Sequence, residues 1–192
     1  PCCTLDNYFA VMLGSVGAHY RPEDVEVANY GGSLEALNAG VTTLLDWSHI
    51  NNTPDHADAA VRGLQRAGIR AVYAHGMPTG GEWWAFSELE HPEDIRHIRD
   101  TYFSSDDQLI ALALAARAPG NSNFEVARHD WELARDIGAR IGLPPADVET
   151  LATVVRHHLL LPETATRRDL DDPVTIARVA EAVGTRDVLE LL

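Results

Sequence analysis

Apolar residues recur at helical spacing through EDVEVANYGGSLEALNA, residues 23–39, and stop at Gly40, a common residue just past a helix end. The pattern then changes. VTTLLDW, residues 41–47, is β-branched and apolar, as a strand covered on both faces would be. Thr53 and Pro54 open PDHADAAVRGLQRAG as N-cap and first helical residue, and Gly68 is its stop. IRAVYAHG next predicts a strand, PEDIRHIRDTYF a helix, LIALALAA a strand and FEVARHDWELARDIG a helix, with the loops TGGEWWAF and RAPGNSNF between them. Three alternations of strand and helix in succession predict βαβ units on a parallel sheet. The expected fold class is therefore α/β, as an open doubly wound sheet or as a sector of a (β/α)8 barrel.

The rhythm breaks near Gly142. ARI starts like another strand, but GLPPADVETLATVVRHHLLL reads as a Pro-started helix and DDPVTIARVAEAVGTRDVLELL as two more helical stretches. The change of pattern at residues 140–143 predicts two parts, an incomplete βα segment over 1–141 and an all-helical tail over 142–192. Two unpaired sheet edges in the first part would favour homo-oligomers or call for cover from the tail.

Charge narrows the partners. Of 192 residues, 15 are basic and 29 acidic, the net charge is −14, and every basic residue is Arg. That balance argues against nucleic-acid and anionic-membrane surfaces. The apolar run Leu109–Ala116 is far too short to span a bilayer, and no segment has signal-peptide grammar. Cys2 and Cys3 are adjacent and cannot staple a fold without strain, so a reducing, cytoplasmic setting is expected. Pro1 in place of an initiator Met suggests a fragment or a processed start.

In parallel α/β folds reactive side chains converge at the C-terminal strand ends. Asp46, Trp47, Ser48 and His49 sit there, as do His75 and Asn121–Asn123. Asp46 is equally suited to capping the following loop through backbone N–H groups. His56, His91, His97 and His129 fall in or at the start of helices and are expected at the solvated surface. No His-x-His, Cys-x-x-Cys, His-Glu-x-x-His, Gly-x-Ser-x-Gly or P-loop occurs. The remaining cluster is RHH, Arg156–His158. Adjacent helical residues point about 100 degrees apart, so His157 and His158 need further ligands from elsewhere to hold a metal.

Two families are resembled. YRPEDVEVANYGGSLEALNAGVTTLLDWSHINNTPDHADAAVRGLQRAGIRAVYAHG, with the segments following to residue 141, resembles the amidohydrolase superfamily, nearest its cytosine deaminase and chlorohydrolase-like members. The resemblance implies a (β/α)8 barrel and a divalent metal, Zn or Fe, that activates water against a C–N bond of a small heterocycle of cytosine or triazine type. It places Trp47, His49 and His75 on the substrate pocket. The family's metal-binding His-x-His, its later His, its acid–base Glu and its last-strand Asp have no counterpart, so the expectation is a chain inactive alone.

GLPPADVETLATVVRHHLLLPETATRRDLDDP and the residues after it resemble the HD domain of the PII uridylyltransferase/uridylyl-removing family. That implies a helical, metal-dependent phosphohydrolase in which His157 and His158 match a ligand pair, while the other ligands of that domain are missing. Three functions are thus expected in turn: an incomplete amidohydrolase-type hydrolase, a fragment of an HD phosphohydrolase that removes uridylyl groups, or a catalytically silent chimera.

Overall fold

The computed structural model describes residues 4–80, 83, 87–105, 107–117, 122–140, 145, 146, 149, 150, 153, 164, 169 and 172–191. The chain divides into two compact units, Pro1–Asp130 and Trp131–Leu192.

The first unit opens with helix α1 (Leu5–Tyr8), a π-helical turn at Phe9–Leu13 and a 3-10 turn at Val16–His19. Helix α2 (Pro22–Asn38) starts where Pro22 supplies a helical φ, and the Arg21 backbone N–H donates to the Asp24 carboxylate at 3.0 Å. Strand β1 (Thr43–Ser48), helix α3 (Pro54–Ala67), strand β2 (Arg70–His75), helix α4 (Ile95–Tyr102), strand β3 (Ile110–Leu114) and helix α5 (Phe124–Arg140) follow in the expected alternation. The division between the two units falls within α5. Among the described residues the strands form one open parallel sheet in the order β1-β2-β3, with Asp46 opposite Tyr73 and Tyr73 opposite Leu112. A mixed α/β architecture on parallel strands is the observed class.

Two local expectations are corrected. β1 is not covered on both faces: Leu45 is 59% and Trp47 47% exposed, and exposure alternates along the strand. It is an edge strand, and a short apolar run cannot by itself distinguish one covered face from two. Thr53 occupies the N-cap position of α3 but makes no side-chain cap. Its Oγ1 lies 2.8 Å from His56 Nδ1 instead, and the His56 Nε2 reaches the Tyr20 carbonyl at 2.9 Å. Gly68 does end α3, at φ 71°, a left-handed conformation that costs glycine nothing.

α2 and α3 approach closely because α3 presents small residues. A Cβ on Gly63 would stand 2.7 Å from the Glu26 carbonyl oxygen and 2.9 Å from Asn29 Cβ. Ala57, Ala60, Val61 and Leu64 of α3 are buried with Ile69, Tyr73, Ile95 and Ile98, and these side chains are the core of the unit.

The second unit is described by its last two helices, α6 (Pro173–Val183) and α7 (Arg186–Leu191). Asp172 caps α6 by accepting from the Val174 and Thr175 backbone N–H groups at 3.1 and 3.3 Å.

Gly63→Val should lower the urea midpoint by the equivalent of about 1–3 kcal/mol, because backbone of α2 rather than a flexible side chain blocks the added atoms. Gly63→Ala should also destabilise, by less, since helix propensity returns about 1 kcal/mol. Equilibrium unfolding checks both, and an unchanged midpoint for the valine variant would show that the two helices are not in this contact.

Candidate functional site at the carboxyl ends of the strands

Where parallel strands end, their last polar groups must find partners or water. Asn51 supplies several. Its Nδ2 donates to the Ser48 carbonyl at 3.3 Å and the Gly76 carbonyl at 3.0 Å, while its Oδ1 accepts from Ser48 Oγ at 3.2 Å and Tyr73 Oη at 3.0 Å. Burial raises the Tyr73 phenol well above its ordinary range, so it stays a donor. Asn52 ties two loops together, giving Nδ2 to the Gly17 carbonyl at 2.9 Å and accepting from the Thr79 backbone N–H at 2.9 Å.

A second cluster lies past the ends of β2 and β3. His75 Nδ1 is 3.0 Å from His91 Nε2, and His75 Nε2 is 3.4 Å from Asp94 Oδ1 without hydrogen-bond alignment. Arg117 meets Asp130 through Nε at 3.3 Å and Nη2 at 3.4 Å, and the His91 backbone N–H reaches the same carboxylate at 3.3 Å. His75, His91, Arg117 and Asp130 are all buried. Burial, with His75 and the Arg117 cation nearby, holds the His91 imidazole far below its ordinary pKa, so it is neutral at pH 7. The expectation that His56 and His91 are solvated is therefore wrong: they are 5% and 1% exposed. His56 lies in the first turn of α3 and His91 in the loop before α4, and sequence spacing does not reveal a ring turned inward.

A cavity of about 330 Å³ lies at the end of β1. Asp46, Trp47 and His49 line it together with Tyr8, Met12 and Tyr20 from the N-terminal segments. Asp46 does not cap the next loop: Asn29 Nδ2 on α2 donates to its Oδ2 at 2.8 Å. Burial raises the Asp46 carboxyl to about 6 against that hydrogen bond. His49 is held below its ordinary value by burial, and its ring lies 6.4 Å from that of Trp47. Of the three residues expected on a pocket, the structure thus places Trp47 and His49 on this cavity and His75 in the buried cluster. Asn29, Asn51, His91, Arg117 and Asp130 went unrecognised in the sequence. The one available signal was the Asn pair in SHINNTP, since Asn after a strand often satisfies loop backbone.

Among the described residues, no group of three or more His, Cys, Asp and Glu side chains could hold a metal ion. His157 and His158 lie outside the described residues, as do Cys2, Cys3 and Asn121. No described helix is long and apolar enough to cross a membrane.

Comparison with known proteins gives relatives named bifunctional uridylyltransferase/uridylyl-removing enzyme. The chain is 62% identical over 171 residues to the bifunctional uridylyltransferase/uridylyl-removing enzyme of Mycobacterium tuberculosis, a match covering 79% of this chain and 18% of the relative. It is 43% identical over 151 residues to that of Gluconobacter oxydans, covering 78% and 15%. It is 68% identical over 60 residues to that of Streptomyces coelicolor, covering 31% and 7%. The chain therefore spans 7 to 18% of the length of these relatives. No protein-family model matches it, and no solved structure does.

These relatives overturn the amidohydrolase expectation, along with the deaminase-type chemistry attached to it. Matches at 43 to 62% identity over most of the chain carry the uridylyltransferase/uridylyl-removing name, and they favour the second expectation. The misleading signal was strand, turn and helix grammar. GVTTLLDWSHIN specifies a parallel strand and the loop that leads from it to the next helix, which many unrelated functions share.

Two stability predictions come from this geometry. Asp130→Ala should destabilise the chain by about 3–5 kcal/mol in denaturant unfolding, because Arg117 would stay buried without its counter-charge. A loss within ~1 kcal/mol of zero would show that Arg117 reaches water. Asp46 releases its proton at about 6 when folded, against an ordinary 3.8. The unfolded chain thus ionises first, and this residue costs stability progressively as pH rises from about 4 to about 6, with the cost constant above. Asp46→Asn should raise stability at pH 7 by on the order of 2 kcal/mol and leave no difference from the parent near pH 3. His91 acts in the opposite sense, losing stability as pH falls, so the variant-minus-parent difference is the quantity to measure.

Proposed function

We propose that the chain is a segment of a bifunctional uridylyltransferase/uridylyl-removing enzyme, and that residues 142–192 belong to its phosphohydrolase of HD type. The observation that carries this reading is the 62% identity over 79% of the chain. The phrase VRHHLLLPETATRRDLDDP, with its His pair, supports it, as do helices α6 and α7. Under this reading the partner is a uridylylated signalling protein of PII type, and the reaction is hydrolysis of the phosphoester that joins the uridylyl group to it. A divalent metal enters the proposal through His157 and His158, which would supply part of its ligand set. The remaining ligands would come from the rest of such an enzyme, so partner recognition rather than turnover is the property expected of this chain.

Titration calorimetry with a PII-type protein in its uridylylated and unmodified forms tests the proposal. The expected result is binding of the uridylylated form with Kd of about 10 μM, and at least tenfold weaker binding of the unmodified one. Equal heats for the two forms, or none with either at about 100 μM, would contradict it.

A further inference from the structure

The cavity at the end of β1 has no part in uridylyl removal as proposed above, yet its chemistry is specific. Its only deeply placed charged oxygen is half used. Asn29 occupies Asp46 Oδ2, and among the described residues Oδ1 has no donor. A carboxylate held in this state favours any ligand that brings a positive N–H group, because such a ligand returns the solvation that burial removed. The second carboxylate on the wall, Asp24, is neutralised by the Arg21 guanidinium at 3.0 Å, which leaves Asp46 as the carboxylate open to a ligand.

The remaining walls select the body of the ligand. Tyr8, Tyr20 and Trp47 offer aromatic rings, and Met12, Val25 and Ile50 offer apolar surface. Aromatic faces attract organic cations, and apolar walls exclude a fully hydrated metal ion. A volume of about 330 Å³ is at the small end of ligand cavities. Its position, at the carboxyl end of a parallel strand, is where such folds gather their ligands.

We propose that this cavity is a binding site for a small organic cation, with an amidinium or ammonium head on Asp46 and a flat or short apolar body against Trp47, Tyr20 and Met12. His49 contributes a neutral imidazole at the rim, able to accept a second N–H from the same head. The site stands on unit Pro1–Asp130 alone, so it holds whether or not the uridylyl-removing assignment does.

Benzamidine is the probe, and benzamide, a neutral compound of nearly the same shape, is the control. Titration of the intact chain at pH 7.5, followed by the indole and imidazole NMR signals of Trp47 and His49, should give Kd of about 1 mM or tighter for benzamidine. Benzamide should bind at least tenfold more weakly, and so should benzamidine to Asp46→Asn, a loss of about 1.4 kcal/mol or more. That variant is expected to be more stable than the parent, so thermal unfolding of the same samples separates lost binding from lost fold. No shift of either signal by about 20 mM benzamidine, or affinities of parent and variant within about twofold, would overturn the proposal. Equal binding of benzamide and benzamidine would overturn it as well, by showing an apolar pocket indifferent to charge.

Discussion

One side-chain amide joins three elements of the first unit. Asn29 Nδ2, on α2, donates to Asp46 Oδ2 on β1 at 2.8 Å and to the Ala60 carbonyl on α3 at 3.2 Å. Both bonds need α2 and α3 to lie nearly backbone against backbone, which Gly63 permits and any larger residue would oppose. An amide with both hydrogens committed in a half-buried position helps fix register, because either bond is lost if the elements shift. The same arrangement leaves Asp46 short of donors. The helix pair and the open oxygen in the cavity are therefore one structural fact seen from two sides.

Elsewhere at the strand ends the constraint is the same but is met by closure. Asn51, Ser48 and Tyr73 satisfy one another, and Arg117 and Asp130 neutralise one another. His75 and His91 share a hydrogen bond, and burial beside His75 and Arg117 keeps the His91 ring neutral. These groups hold loops on strands and have little access to solvent. At the end of β1, where the N-terminal segments and α2 supply the neighbours, closure stops and a cavity begins.

Much of the backbone was legible in the sequence because caps and stops are local. Pro54, Gly40 and Gly68 mark ends through φ alone, and the strands between them follow from short apolar runs. Burial of polar side chains was not legible, since it depends on which neighbours arrive from distant segments. His91 and Asp130 are 39 residues apart and meet through a backbone N–H that no spacing rule anticipates. Arg117 reads as an ordinary loop residue until Asp130 is placed beside it. Trp47 and His49 were picked out by position at a strand end and do line the cavity there. Asp46 was weighed both as a strand-end candidate and as a loop cap, and its hydrogen bond to Asn29 was not foreseen, because that helix gives no sequence reason to pair with it. The family resemblance of the first part failed for a related reason: βα grammar reports a fold, and the relatives carry a different chemistry.

The claim on which most depends is that Asp46 is desolvated and held by a single amide donor. Following the Asp46 side-chain carboxyl carbon by NMR as a function of pH, in the intact chain, tests it most directly. A midpoint of about 6 is predicted. A midpoint near the ordinary 3.8 would show a solvated carboxylate, and would contradict both the joint at Asn29 and the cavity built on it.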